Sequence, residues 1–231
     1  MRVALLVTCL ADTLQPSVGR ATVALLERLG IEVVFPREQT CCGQLHLNAG
    51  HAEVAAGLAH RFVDVFSGFD AVVAPSASCA AHVRAHVPEH AADPEGVASR
   101  TWELSEFLVE RLGVVDVGSG FAGSVTYHPT CHSLRALRVG DGPELLLRAV
   151  RGLDLRPLGE ASECCGFGGL FAVRNAGVST AMLADKLRRI EESGAGVVCA
   201  CDASCLLHIG GGLERRGAAV RAVHLAEILA A

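Results

Sequence analysis

Ten cysteines carry most of the chemistry open to this chain: Cys9, Cys41, Cys42, Cys79, Cys131, Cys164, Cys165, Cys199, Cys201 and Cys205. Eight of them form two sets with matching spacing. Cys9 is followed by 31 residues, then Cys41-Cys42-Gly43, then 35 more residues to Cys79. Cys131 is followed by 32 residues, then Cys164-Cys165-Gly166, then 38 to Cys205. Four thiolates are the donor set of an iron–sulfur cluster. Four thiolates also hold zinc, but structural zinc sites usually draw on two closely spaced ligand pairs. Only Cys201-x₃-Cys205 has that spacing here. A zinc-binding interaction module is therefore the weaker reading. A vicinal pair could also serve as a redox dithiol, although two similarly spaced sets argue against a single catalytic thiol. Cys199 lies inside an apolar run and reads as a small packed hydrophobe.

The rest of the sequence repeats with the cysteines. Each single cysteine ends a largely apolar run, Val3–Cys9 (VALLVTC) and Val125–Cys131 (VTYHPTC). Each half closes alike, with ELSEFL at Glu103–Leu108 and HLAEIL at His224–Leu229. A duplication follows, with halves at 1–119 and 120–231 and a Gly-rich junction near Asp116–Gly123.

Short apolar runs alternate with helical periodicity. The pattern predicts strands at Val3–Thr8, Glu32–Phe35, Ala71–Ala74, Val125–His128, Asp154–Pro157 and Val197–Ala200. It predicts helices at Val18–Leu29, Ala52–Phe66, Thr101–Leu112, Pro143–Val150, Ala176–Glu192 and His224–Leu229. Strand–helix–strand order implies parallel pairing with right-handed crossovers. The expected fold is α/β: two tandem, similar open parallel-sheet halves. Ligands of such sheets bind beyond the carboxyl ends of the strands. Each cysteine set follows strand ends and is expected to converge there. Gly43 and Gly166 would let the backbone turn close to a bulky inorganic core.

Composition narrows the partners. Of 231 residues, 51% are hydrophobic and 19% charged, so a sizeable core is expected. The net charge of −5 and the lack of a Lys/Arg block make nucleic acid a poor partner. Charges or glycines interrupt every apolar run, so no membrane span is expected. Met1–Leu10 reads as a strand rather than a signal peptide. A cytoplasmic, reducing location follows as the expectation, in which cysteine clusters bind metal more often than they form disulfides. No Ser/His/Asp set and no paired carboxylates are placed for acid–base work. His128 and His132 flank Cys131, either as donors to cluster sulfur or as loop histidines. His82 and His86, with nothing acidic between them, read as a solvated face.

The pattern C-x₃₁-CCG-x₃₅-C, repeated as C-x₃₂-CCG-x₃₈-C, resembles the cysteine-rich CCG domain. So do Phe35–Gly43 (FPREQTCCG), Val73–Cys79 (VAPSASC), Tyr127–His132 (YHPTCH), Glu163–Gly169 (ECCGFGG) and Met182–Ile190 (MLADKLRRI). That domain occurs in heterodisulfide reductases, in glycolate and glycerol 3-phosphate oxidation systems and in lactate-utilisation proteins. The two-copy chain without a ferredoxin motif is most similar to the last group. The resemblance implies iron–sulfur ligation by Cys9, Cys41, Cys42 and Cys79, and by Cys131, Cys164, Cys165 and Cys205, as one or two clusters per chain. It implies an electron-transfer subunit of a complex oxidising L-lactate to pyruvate, beside a ferredoxin-like iron–sulfur subunit and one further subunit. Glycolate, glycerol 3-phosphate or a heterodisulfide are the alternative substrates. The fullest form of the domain carries a fifth cysteine. Ser76 and Asp202 stand there instead, which suits an ordinary [4Fe–4S] cluster, with Ser76, Asp202 or the adjacent Cys201 as possible extra donors.

Overall fold

The computed structural model describes residues 1–231. The first half runs β1 (Arg2–Leu5), α1 (Cys9–Leu14), α2 (Pro16–Arg28), β2 (Glu32–Val34), α3 (Gln44–Asn48), α4 (Ala52–Phe66), β3 (Ala71–Ala74), α5 (Ala77–His90), β4 (Thr101–Glu103) and α6 (Leu104–Glu106), which continues as a π-helical turn over Phe107–Arg111. The second half runs β5 (Gly120–Tyr127), a π-helical turn over His132–Leu137, α7 (Gly142–Ala149), β6 (Arg151–Arg156), α8 (Leu170–Arg174), α9 (Ala176–Glu192), β7 (Val197–Ala200), α10 (Ala203–Arg215), β8 (Arg221–His224) and α11 (Leu225–Ala230). The two sheets are all-parallel, in orders β2-β1-β3-β4 and β6-β5-β7-β8. The expected α/β fold of two similar parallel sheets is the observed one.

Strand periodicity explains the layering. Side chains alternate between faces. Val3, Ala71 and Val73 point into one core with Val125, Tyr127, Val197 and Cys199 of the other sheet. Leu25 and Leu26 of α2 and Ile228 and Leu229 of α11 fill that shared core. Arg28 of α2 donates from Nη1 to the Ala230 carbonyl at 3.1 Å and from Nη2 to the Leu229 carbonyl. The opposite faces pack outward. Ala4, Val72 and Ala74 meet Phe62, Phe66 and Val83 in the first half. Val198 meets Leu187, Ile190 and Ile209 in the second. One core therefore joins the halves, and each half keeps a smaller core of its own.

Several elements differ from the sequence expectation. Thr101–Glu103 is the edge strand β4, not the first turn of a helix, and Arg221–His224 is its counterpart β8. The repeated endings ELSEFL and HLAEIL are capping boxes. Glu103 accepts from the Ser105 and Glu106 amides at 2.8 and 3.2 Å, and His224 Nδ1 accepts from the Ala226 amide at 3.1 Å. Each cap ends a strand and starts a helix in one step. The helices α5 and α10 are additional to those expected. Helix α10 holds Gly210-Gly211-Gly212, which reads as a turn in isolation. A Cβ at Gly212 would lie 2.8 Å from Leu187 Cδ1, so that glycine lets α10 approach α9.

Glu103 is fully buried, and burial raises its carboxyl to about 7. Its Oε2 receives the capping bonds and its Oε1 has no partner. The folded state therefore holds this proton more tightly than the unfolded chain, and stability falls as pH rises from about 4.5 through 7. Glu103→Gln keeps an acceptor for the cap and removes the charge. Chemical denaturation from pH 4.5 to 8 is expected to show a flatter profile for E103Q, with roughly 3 kcal/mol less pH-dependent loss than the native chain.

Candidate functional site

All eight paired cysteines line one cleft of about 180 Å³ between the halves. Topology brings them there. Cys9 opens α1 four residues past β1, and Cys131 lies four residues past β5. Cys79 and Cys205 sit in the first turns of α5 and α10, which follow the central strands β3 and β7. The vicinal pairs come from the loops after β2 and β6. Both sheets thus present their carboxyl edges to the same space.

The sulfurs are close. Cys9 and Cys41 Sγ lie 3.7 Å apart, and Cys42 and Cys79 Sγ 3.5 Å apart. None is in a disulfide. In the second half, Cys165 and Cys205 Sγ lie within 4.8 Å of each other, and Cys131 and Cys164 line the same cleft. One thiolate is favoured per set. Hydrogen bonds from Cys42 and Cys9 hold Cys41 well below the usual thiol value, helped by the Gly43 amide. Bonds from Cys131 and Cys165 do the same for Cys164, helped by the Gly166 amide. The amides approach to 3.5 and 3.3 Å. Cys9, Cys42, Cys131 and Cys165 are pushed up, first by donating to those thiolates and then by burial. Four thiols this close cannot all ionise without a cation among them. Soft cations, iron–sulfur clusters above all, match such a donor set.

The CCG turns need their glycines. Gly43 and Gly166 adopt φ of +96° and +89°, the left-handed region. The surroundings differ. A Cβ at Gly43 would meet nothing nearer than His82 Nε2 at 3.5 Å, whereas one at Gly166 would lie 2.6 Å from the Ser179 carbonyl oxygen. His82, expected on a solvated face, is instead buried behind the first CCG turn, and burial lowers its pKa to about 4. Its repeat partner His208 lies three residues after Cys205, as His82 does after Cys79. His208 Nε2 is 3.4 Å from Ser179 Oγ, behind the second turn. The repeated C-x₂-H is the sequence signal of this pair.

The positions of the fifth cysteine meet each other. Ser76 caps α5, and its Oγ donates to Asp202 Oδ1 at 2.6 Å. The Ser78 hydroxyl and amide donate to the same oxygen at 2.8 and 3.1 Å. Thr130 Oγ1 donates to Oδ2 at 2.7 Å. Asp202 is thus saturated and buried, a tie between the cysteine sets. Cys201 is fully buried beside Thr130 and does not line the cleft. Cys199 faces the shared core, as its apolar run implied. His132 lines the cleft and accepts from Gln44 Nε2 at 3.1 Å. His128 is buried rather than exposed, and burial lowers it to about 4.

A duplicated α/β fold with paired CCG turns on one cleft defines a class, and the sequence agrees. The cysteine-rich CCG domain matches at residues 3–84 and again at 125–210, and the chain belongs to that family. Its relatives include the lactate utilization protein A of Bacillus pumilus, 43% identical, with 99% of each chain covered. The lactate utilization protein A of Geobacillus kaustophilus is 45% identical over 99% of this chain and 98% of the relative. Among solved structures, a putative Asp/Glu racemase from Yersinia pestis aligns over 100% of this chain and 96% of its own, at 11% identity and a TM-score of 0.41. No helix is long and apolar enough to cross a membrane.

The two turns make a differential prediction. Gly43→Ala is expected to cost about 1–2 kcal/mol, the strain of a left-handed residue. Gly166→Ala adds a backbone clash and is expected to cost several kcal/mol, about twice as much or more. Urea denaturation of both variants checks this.

Proposed function

We propose that this chain is an iron–sulfur electron-transfer subunit of a complex that oxidises L-lactate to pyruvate. The observation that carries the reading is the convergence of two repeat-related four-thiol sets on one cleft. Cys9, Cys41, Cys42 and Cys79 would hold one [4Fe–4S] cluster, and Cys131, Cys164, Cys165 and Cys205 a second. The donor chemistry fits: thiols only, each set with one thiolate already favoured and a CCG amide turned toward it. Such clusters, when bound, exchange single electrons.

The chain's own residues do the positioning. The Gly43 and Gly166 amides neutralise part of the charge on the thiolates they face. The first turns of α5 and α10 aim their N–H groups toward the same edge, which favours anionic sulfur there. Asp202 fixes the spacing of the two sets through Ser76, Ser78 and Thr130. Lactate oxidation releases two electrons and two protons, so one-electron centres need partners on either side. A ferredoxin-like subunit and one further subunit fill those roles in this proposal. The relatives' names support lactate as the substrate. A cytoplasmic location belongs to the same reading.

Protein purified without air is expected to carry about eight iron and about eight sulfide per chain. Cys42→Ser and Cys165→Ser are each expected to lose about half of both. Zinc at stoichiometry without sulfide would overturn the cluster assignment. A deletion strain is expected to fail on L-lactate as sole carbon source and to grow on pyruvate; unimpaired growth on lactate would overturn the substrate.

A further inference from the structure

The second cysteine set has a neighbour that the first lacks. His128 follows β5 directly, three residues before Cys131. Thr130 precedes Cys131 as Thr8 precedes Cys9, so the register between repeats is clear, and Leu6 stands where His128 would be. Leu6 is ordinary core. His128 is fully buried, yet neither of its ring nitrogens has a hydrogen-bond partner. Buried polar atoms are nearly always paired, because an unpaired one has given up its hydrogen bonds to water for nothing. This imidazole has two.

The unpaired ring has a direction. A ring nitrogen of His128 and the sulfurs of Cys165 and Cys205 all lie within 4.8 Å of one another. No comparable grouping with an imidazole occurs at the first set. A neutral imidazole offers one N–H, and cysteine sulfur bound to a cluster accepts hydrogen bonds. At the equivalent place beside the first set, the Leu6 side chain has nothing to donate.

We infer that His128 donates its ring N–H to ligand sulfur of the metal centre held by the second cysteine set, so that the chain's two centres differ in their surroundings. This rests on the reading of both sets as iron–sulfur sites. The consequence is directional. A hydrogen bond to ligand sulfur stabilises the more negative, reduced state and so raises the potential of an iron–sulfur centre. The second centre then takes an electron more readily than the first, and reduction of the chain proceeds in two separable stages.

The test is pulsed electron paramagnetic resonance on dithionite-reduced, anaerobically purified protein labelled with ¹⁵N at histidine. The expected result is one weakly coupled imidazole nitrogen, changed by the ¹⁴N/¹⁵N exchange and assigned to one of two centres. His128→Leu, which installs the first repeat's residue, is expected to lose that coupling and to shift the more readily reduced centre to lower potential, with iron retained. Should H128L fold poorly, His132→Asn and His208→Asn remove the other nearby imidazoles and are expected to leave the coupling intact. Absence of any histidine nitrogen coupling in iron-loaded native protein would overturn the inference, as would its unchanged persistence in H128L. Absence of iron and sulfide from the native protein would instead sink the underlying cluster reading, and this inference with it.

Discussion

Four thiols cannot sit within hydrogen-bonding distance of one another and all be ionised unless positive charge lies between them. That constraint governs the structure. The fold places Cys9 beside Cys41 and Cys42 beside Cys79 at under 4 Å. It does so with residues far apart in sequence, so the closeness is imposed by the sheet and its crossovers rather than by a local loop. Without a metal the protons must stay, and the set settles on one thiolate fed by its neighbours. With a metal the protons leave, and binding becomes coupled to pH and to folding.

The surrounding architecture serves this closeness. Parallel sheets leave their carboxyl edges free, and the two sheets share one core, so both edges face the same cleft. Glycines with left-handed backbone let the CCG loops turn their amides toward sulfur. Asp202 holds the two edges in register by accepting from hydroxyls on α5 and on the loop after β5. The duplication is not fully symmetric. His128 replaces Leu6, and Lys186 is buried under the second CCG loop, donating to the Glu160 carbonyl at 3.0 Å. The second site is consequently the more polar of the two.

Much of this was legible in the sequence, for identifiable reasons. Ala71–Ala74 and Val197–Ala200 are buried on both faces, and their continuous apolar character marked them as strands. The cysteine spacings were preserved across the repeat, so their convergence followed from topology alone. Other features depended on packing that sequence pattern does not display. Thr101–Glu103 holds a Glu that is buried as a cap, so its strand looked like a helix start. Helix α5 contains Pro88, and α10 contains three consecutive glycines, of which Gly212 makes close contact with α9. His82 and His86 looked alike, but α5 turns His82 inward and leaves His86 to pair with Glu89 at the surface. The burial of His128 depends on where β5 ends against β7, which only the three-dimensional structure fixes.

In the proposed function each repeat gathers its own four sulfurs around a separate iron centre within a common cleft. Anomalous diffraction at the iron absorption edge, on crystals grown without air, tests this directly. Two distinct iron peaks are expected, one bounded by Cys9, Cys41, Cys42 and Cys79 and the other by Cys131, Cys164, Cys165 and Cys205. A single peak bridging the two sets, or iron bound away from the CCG turns, would contradict it.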